Sequence, residues 1–154
     1  MWRTLQRSVV IVAGSVVLAL VGNAVSPRGI PLITPPKPVL QATDVVPLDE
    51  AKQLWETGAG LFLDARTPAD YAAGHIANAL SLPAEQFDET YPRIAPLLTP
   101  DMPVIVYCNG VQCDLSHEVR DKLRALGYKN VRILVNGWTV WRQAGGITAT
   151  GTVR

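Results

Sequence analysis

The sequence predicts an α/β domain built on a parallel sheet, and three observations support this prediction. Short apolar runs at residues 61–65, 79–82, 104–107 and 131–135 have the length and composition of buried strands. Segments with apolar residues at helical spacing lie between these runs, and strands that alternate with helices on short connections are typical of parallel sheets. With 154 residues and 48% hydrophobic side chains, the chain can form one domain with a packed core.

The helices of this domain are predicted from their apolar faces and from the residues at their ends. The first covers residues 47–56, and the second is short and begins with Thr67 as its N-cap. A longer helix follows the cysteine-containing segment and ends at Gly127, and the last surrounds Trp138 and Trp141. Each predicted strand therefore has a helix beside it in the chain.

Charge is distributed unevenly along the chain, although the net charge is only +1. Arg3, Arg7, Arg28 and Lys37 are the only charged residues among the first 43, so this segment carries +4 and the remainder carries −3. Later basic residues alternate with acidic ones on one predicted helix, as on an ordinary solvated helix face. We therefore predict no nucleic-acid partner.

The N-terminal segment is predicted to be a membrane anchor. Residues 8–25 carry no charge, and a helix over residues 2–25 is about 36 Å long, enough to cross a bilayer. The small residues of Gly22-Asn23-Ala24 leave a cleaved signal peptide as an alternative, and a buried core helix as another. The predicted organisation is an anchor or signal at 1–26, a proline-rich linker at 27–44 and a globular domain at 45–150.

The orientation of this anchor is predicted from the basic residues beside it. Arg3 and Arg7 precede the apolar stretch, which favours a single-pass helix with its N-terminus inside. The linker contains five prolines within residues 26–43, so it should be extended and stiff. We expect the helix to contact the lipid of the cytoplasmic membrane and the domain to lie outside the cytoplasm.

Both cysteines of the chain, Cys108 and Cys113, lie in one short segment between a predicted strand and a helix. Two cysteines are too few for a disulfide scaffold. With His75 and His117 as the only histidines, this spacing makes a poor zinc site, and we predict neither a metal nor an organic cofactor. The two cysteines are therefore either reactive thiols or buried apolar residues.

The position of Cys108 suits a nucleophile. It directly follows a predicted strand, and ligands of parallel sheets bind at the carboxyl ends of strands. Backbone N–H groups of the following loop and the N-terminus of the next helix can surround an anion and favour an ionised thiol. The predicted anion-binding loop consists of Asn109, Gly110, Val111, Gln112, Cys113 and Asp114, with Asp114 as the N-cap of the helix.

Two long stretches resemble a rhodanese domain: LFLDARTPADYAAGHIANALSLP, and VIVYCNGVQCDLSHEVRDKLRALGYKNVRILVNGWTVWRQAG. The resemblance covers about residues 45–147. The family motifs occur in order, as Asp64-x-Arg66, Gly74-His75-Ile76-x-x-Ala79, Tyr107-Cys108 and Gly137-Trp138-x-x-Trp141. The resemblance implies a doubly wound, mostly parallel sheet of about five strands. It also implies a sulfurtransferase that carries sulfane sulfur as a persulfide on Cys108 and passes it to a thiol or another nucleophilic acceptor.

The loop departs from the family pattern in one respect, because it contains no basic residue between Cys108 and Asp114. The absence of a basic residue weakens the case for thiosulfate, a dianion, as the natural donor, although a small sulfur compound or a protein thiol remains the expected partner. It weakens even more the hypothesis of a phosphatase or arsenate reductase, which needs an arginine where Asp114 stands. The alternatives are a non-catalytic binding or sulfur-carrier module and a dithiol redox protein working through Cys108 and Cys113.

Other residues are predicted to have supporting roles. Cys113 either attacks a persulfide on Cys108 as a resolving thiol or faces inward as a helix-start residue. Asp64 and Arg66 are expected to form an ion pair that ties their strand to the cysteine loop. His75 is expected to stabilise its turn by a hydrogen bond.

Overall fold

The computed structural model describes residues 2–26, 42–110 and 114–152. The chain divides into two compact units, Met1–Val39 and Leu40–Arg154. In the first unit, helix α1 (Trp2–Val25) contains an apolar segment, Gln6–Val25, that is long enough to cross a membrane. A signal sequence near an N-terminus has the same length and composition, so α1 is a candidate span by these properties alone.

The second unit contains alternating strands and helices. Its helices are α2 (Leu48–Glu56), α3 (Pro68–Ala73), α4 (Phe87–Ile94), α5 (Asp114–Ala125) and α6 (Gly137–Gln143). Its strands are β1 (Leu61–Asp64), β2 (His75–Ile76), β3 (Leu80–Ser81), β4 (Val104–Tyr107), β5 (Val131–Leu134) and β6 (Thr148–Ala149).

The main sheet is parallel, with strand order β3-β1-β4-β5. Within it Leu63 pairs with Val106, and Val106 pairs with Ile133. On the outer side of β5, Val45 forms a parallel bridge with Ile133 and occupies a fifth position by one residue. The predicted fold class is confirmed, and each predicted strand is present in the sheet.

Two apolar cores lie on opposite faces of this sheet, because side chains alternate along each strand. In β4, Val104 and Val106 pack with residues of α4 and α5, whereas Ile105 and Tyr107 pack with residues of α2 and α6. These side chains are at most 1% exposed. Helices therefore cover both faces, which is the doubly wound arrangement that the family resemblance implied.

Two of the predicted helix ends have the expected capping chemistry, and one does not. The hydroxyl of Thr67 accepts a hydrogen bond from the backbone N–H of Asp70 at 3.1 Å and donates to its carboxylate at 2.7 Å. Gly127 has a φ of 99°, a left-handed conformation that ends the last turn after α5. Asp114, predicted to precede α5 as its N-cap, is instead the first residue of that helix.

Two features of the domain were absent from the sequence prediction. Strands β2 and β6 form a separate antiparallel pair, in which His75 lies opposite Ala149. Two-residue strands are too short to show an alternating pattern. Helix α4 contains Pro92 in its interior, and proline normally argues against a helix at that point.

Candidate functional site

Cys108 lies at the carboxyl edge of the parallel sheet, immediately after β4, and is 1% exposed. Its Sγ is 3.4 Å from Oγ of Ser116, a buried residue in the first turn of α5. The cysteine is disulfide-bonded. The structure therefore places this sulfur beside the N-terminal turn of a twelve-residue helix, where backbone N–H groups favour an anion.

Part of the predicted anion-binding loop lies outside the described residues, namely Val111, Gln112 and Cys113. Of the described members, Asn109 and Gly110 are exposed, and Asp114 starts α5. The structure thus fixes the beginning and the end of the loop.

The beginning of the loop is held by the turn that leads into α6. The backbone N–H of Gly110 donates to Oδ1 of Asn136 at 2.8 Å, and the N–H of Trp138 donates to the carbonyl of Cys108 at 3.2 Å. The sequence predicted the helix around Trp138 but not this contact. A hydrogen bond between residues 26 positions apart leaves no local signature in the sequence.

Asp64 and Arg66 form a buried ion pair at the end of the neighbouring strand β1. Nε of Arg66 donates to Oδ1 of Asp64 at 2.9 Å, and a terminal nitrogen donates to Oδ2 at 2.5 Å. That terminal nitrogen also donates to the carbonyl of Gly74 at 2.6 Å. The guanidinium lies 4.6 Å from the ring centroid of Trp138 and 5.9 Å from that of Tyr107. In the described contacts, the ion pair does not touch Cys108 itself but lies near Tyr107, the residue that precedes it.

Arg66 and Tyr107 keep fixed protonation states at this edge of the sheet. Burial alone would lower the pKa of Arg66, but its hydrogen bonds to Asp64 and the charge of that carboxylate raise it, so the guanidinium stays protonated. Burial and then the charge of Asp64 raise the pKa of Tyr107, whose hydroxyl accepts from the N–H of Ile76 at 3.1 Å. Tyr107 therefore acts as a neutral structural group and not as a base.

A cavity of about 190 Å³ lies between the segment that follows β1 and the start of α5. Its wall includes Ala65, whose N–H donates to the carbonyl of Tyr107, and Leu115, which precedes Ser116. The described lining residues are Ala65, Arg66, Thr67, Pro68, Pro83, Glu85, Gln86 and Leu115. Among these described residues Arg66 is the one cation, and its charge is matched by Asp64, whereas Glu85 is exposed. The described part of the cavity wall is therefore acidic on balance.

The remaining predicted residues have structural contacts. Nδ1 of His75 lies 2.8 Å from the carbonyl of Tyr71, and the two rings stack with centroids 3.7 Å apart. Trp141 is buried in the core, whereas Trp138 lies beside the guanidinium of Arg66. Only Trp138 of the two tryptophans therefore lies near the residues around Cys108.

Comparison with known proteins places this geometry in a family. The profile of the rhodanese-like domain matches residues 47–144, well over half of the chain. A tRNA uridine(34) hydroxylase of Photorhabdus laumondii is 29% identical over 86 residues, which make up 54% of this chain and 24% of the hydroxylase. An HTH-type transcriptional regulator of Mycobacterium tuberculosis is 30% identical over 102 residues, 66% of this chain and 43% of the regulator.

The solved structures show the same fold. The crystal structure of a thiosulfate sulfurtransferase from Pseudomonas aeruginosa is 27% identical, with a TM-score of 0.56 over 67% of this chain and 19% of that protein. The chain thus spans less than half of the length of the two curated relatives named above. What these longer proteins share with it is the domain.

The ion pair supports a prediction about stability. Asp64→Ala should lower the free energy of unfolding by about 3–5 kcal/mol, because it leaves the guanidinium of Arg66 buried without its counter-ion. Asp101→Ala, which breaks an exposed pair with Lys129, should cost about 0–1 kcal/mol. Urea denaturation measures both. Equal losses in the two variants would contradict the role assigned to the buried pair.

Proposed function

The chain belongs to the rhodanese-like domain family, and from this premise we propose that it is a sulfurtransferase that carries sulfane sulfur as a persulfide on Cys108. The observation that carries the proposal is the position of this sulfur, at the end of β4 and beside the first turn of α5. In the first step, the Cys108 thiolate attacks the sulfane sulfur of a donor and expels the rest of the donor. In the second, an acceptor thiolate attacks the terminal sulfur and regenerates the Cys108 thiolate.

We assign the stabilisation of the persulfide anion to the loop from Asn109 to Asp114 and to the N-terminus of α5. Because the N–H of Gly110 donates to Asn136, the other amides of this loop take that role. Ser116 Oγ lies 3.4 Å from Sγ, and once the sulfur is ionised the hydroxyl can donate a further hydrogen bond to it. Asp64 and Arg66 support the strand end and do not act on the substrate.

We further propose that Cys113 can resolve the persulfide. Its thiolate attacks Sγ of persulfidated Cys108, which forms a disulfide and releases hydrosulfide, and a dithiol reductant then restores both thiols. The support is that Cys108 is disulfide-bonded and that Cys113 is the only other cysteine in the sequence. The same observation favours the second candidate function, a dithiol redox protein that exchanges electrons through these cysteines without carrying sulfur.

Substitution of each cysteine separates these functions. In the reduced protein, Cys108→Ser should abolish sulfur acceptance, because a hydroxyl is not ionised at neutral pH and cannot hold sulfane sulfur. Cys113→Ser should still accept one sulfur atom and should keep it longer, because the internal attacker is gone. Mass spectrometry of the intact protein after exposure to a donor measures both. Sulfur acceptance by Cys108→Ser would refute the mechanism, and a reducible disulfide without any acceptance in the wild type would favour the redox function.

The acidic cavity wall predicts the charge of the preferred donor. Thiosulfate, a dianion, should load Cys108 more slowly than an organic persulfide of lower charge, because Glu85 lies in the wall and Arg66 is neutralised. At low salt, Glu85→Gln should raise the thiosulfate rate by roughly two- to fivefold, the effect of one partly screened charge. Glu89→Gln, on the exposed side of α4 outside this wall, is the matched control. A wild-type preference for thiosulfate would overturn the donor assignment.

We propose that α1 anchors the protein in the cytoplasmic membrane, with its N-terminus inside and the domain outside. The apolar length of α1 and the position of Arg3 and Arg7 support this arrangement. The full chain should then sediment with membranes, and external protease should digest the domain in intact spheroplasts. A soluble product that begins at Val25 would show cleavage and export, and protection of the domain until lysis would reverse the orientation.

A further inference from the structure

The turn between β5 and α6 holds the start of the cysteine loop at two points. Oδ1 of Asn136 accepts from the N–H of Gly110 at 2.8 Å, and the N–H of Trp138 donates to the carbonyl of Cys108 at 3.2 Å. The first and last residues of the segment 108–110 are thus bonded to one three-residue turn. The direction in which the chain leaves the cysteine is set by these two hydrogen bonds.

The backbone of Asn136 shows why its side chain matters. It has φ 50° and ψ 33°, in the left-handed region, where glycine is favoured and asparagine is tolerated. As far as the backbone is concerned, glycine would adopt this conformation at least as readily. What the asparagine adds is its carbonyl oxygen, and this oxygen is bonded to Gly110.

The turn also has a fixed position relative to the strand that carries the cysteine. A Cβ atom added to Gly137 would lie 2.6 Å from Cβ of Tyr107, an atom that belongs to the central strand β4 and is buried. The turn is therefore packed directly against the residue before Cys108. A side chain that extends from such a base can hold a neighbouring loop in one direction.

We propose that Asn136 is a positioning residue for the sulfur chemistry of Cys108, acting through the Gly110 amide. It does not touch the sulfur in the described contacts. Instead, it withdraws one N–H from the loop amides that could face an anion and fixes how the loop begins. The proposal extends the sulfurtransferase function and in that respect rests on it. The hydrogen bond between Gly110 and Asn136 also bears on the disulfide-bonded form of Cys108.

Three variants isolate the contact from the backbone conformation. Asn136→Gly removes the acceptor at a position whose backbone glycine adopts freely, and Asn136→Asp keeps an acceptor there. Asn78→Gly is the matched control, because Asn78 is also left-handed, with a φ of 66°, but is exposed in the turn before β3. The turn that contains Asn78 precedes the amino end of β3, whereas Cys108 follows the carboxyl end of β4.

Two measurements on the full chain in detergent do not depend on sulfur transfer. They are amide hydrogen exchange at Gly110, followed by NMR, and the rate at which dithiothreitol reduces the disulfide at Cys108. Asn136→Gly should raise both rates by about two- to tenfold, the factor that corresponds to one neutral hydrogen bond. Asn136→Asp should show rates at or below those of the wild type, and Asn78→Gly should show no change. In reduced protein, Asn136→Gly should load sulfur more slowly by a similar factor.

The outcomes separate this proposal from the proposed function. If exchange at Gly110 or reduction at Cys108 is unchanged in Asn136→Gly, or equally changed in Asn78→Gly, the positioning role is wrong. If both rates rise but the loading rate does not fall, Asn136 holds the disulfide form only, and its role in sulfur transfer is refuted. If the wild type accepts no sulfur, the sulfurtransferase function fails, while the exchange and reduction rates still decide whether Asn136 positions the loop.

Discussion

The burial of the Asp64 carboxylate against the guanidinium of Arg66 is the constraint on which the carboxyl edge of the sheet depends. Asp64 has no exposed surface and Arg66 is 4% exposed, so each charge requires the other. The same guanidinium binds the carbonyl of Gly74 and lies over the ring of Trp138. The end of β1, the turn before β2 and the start of α6 are therefore brought together by one pair of charges, and Cys108 lies at the edge that they form.

This arrangement leaves the cation at the site occupied with protein partners. Arg66 lines the cavity, but its hydrogen bonds go to Asp64 and to a backbone carbonyl. In the function that we propose, an anionic sulfur on Cys108 depends on backbone N–H groups and on the first turn of α5. The pairing of Arg66 with Asp64 thus links the fold to the sulfur donor that we propose.

The sequence predicted the parts of this molecule that have a local pattern. The buried strands are continuous apolar runs, and Thr67 has the chemistry of a helix cap. Cys108 follows a strand in the sequence, and in a parallel sheet this places it at the carboxyl edge. The parts that were missed depend on tertiary contacts. Strands β2 and β6 are two residues long and exist because they pair with each other. The bond between Gly110 and Asn136 joins distant parts of the chain, and the acidic cavity wall is formed by residues from several separate segments.

The relatives of this chain show why the fold alone does not fix its activity. The same domain occurs in a tRNA hydroxylase and in a transcriptional regulator, each more than twice as long as the region that matches this chain. The activity of this chain must therefore be argued from the side chains around the cysteine. Three of them carry our proposals, namely Glu85 in the cavity wall, Ser116 beside the sulfur and Asn136 behind the loop. We propose that each acts on a different property, respectively the charge of the donor, the hydrogen bonding of the sulfur and the direction of the loop, so each can change while the ion pair and the sheet stay the same.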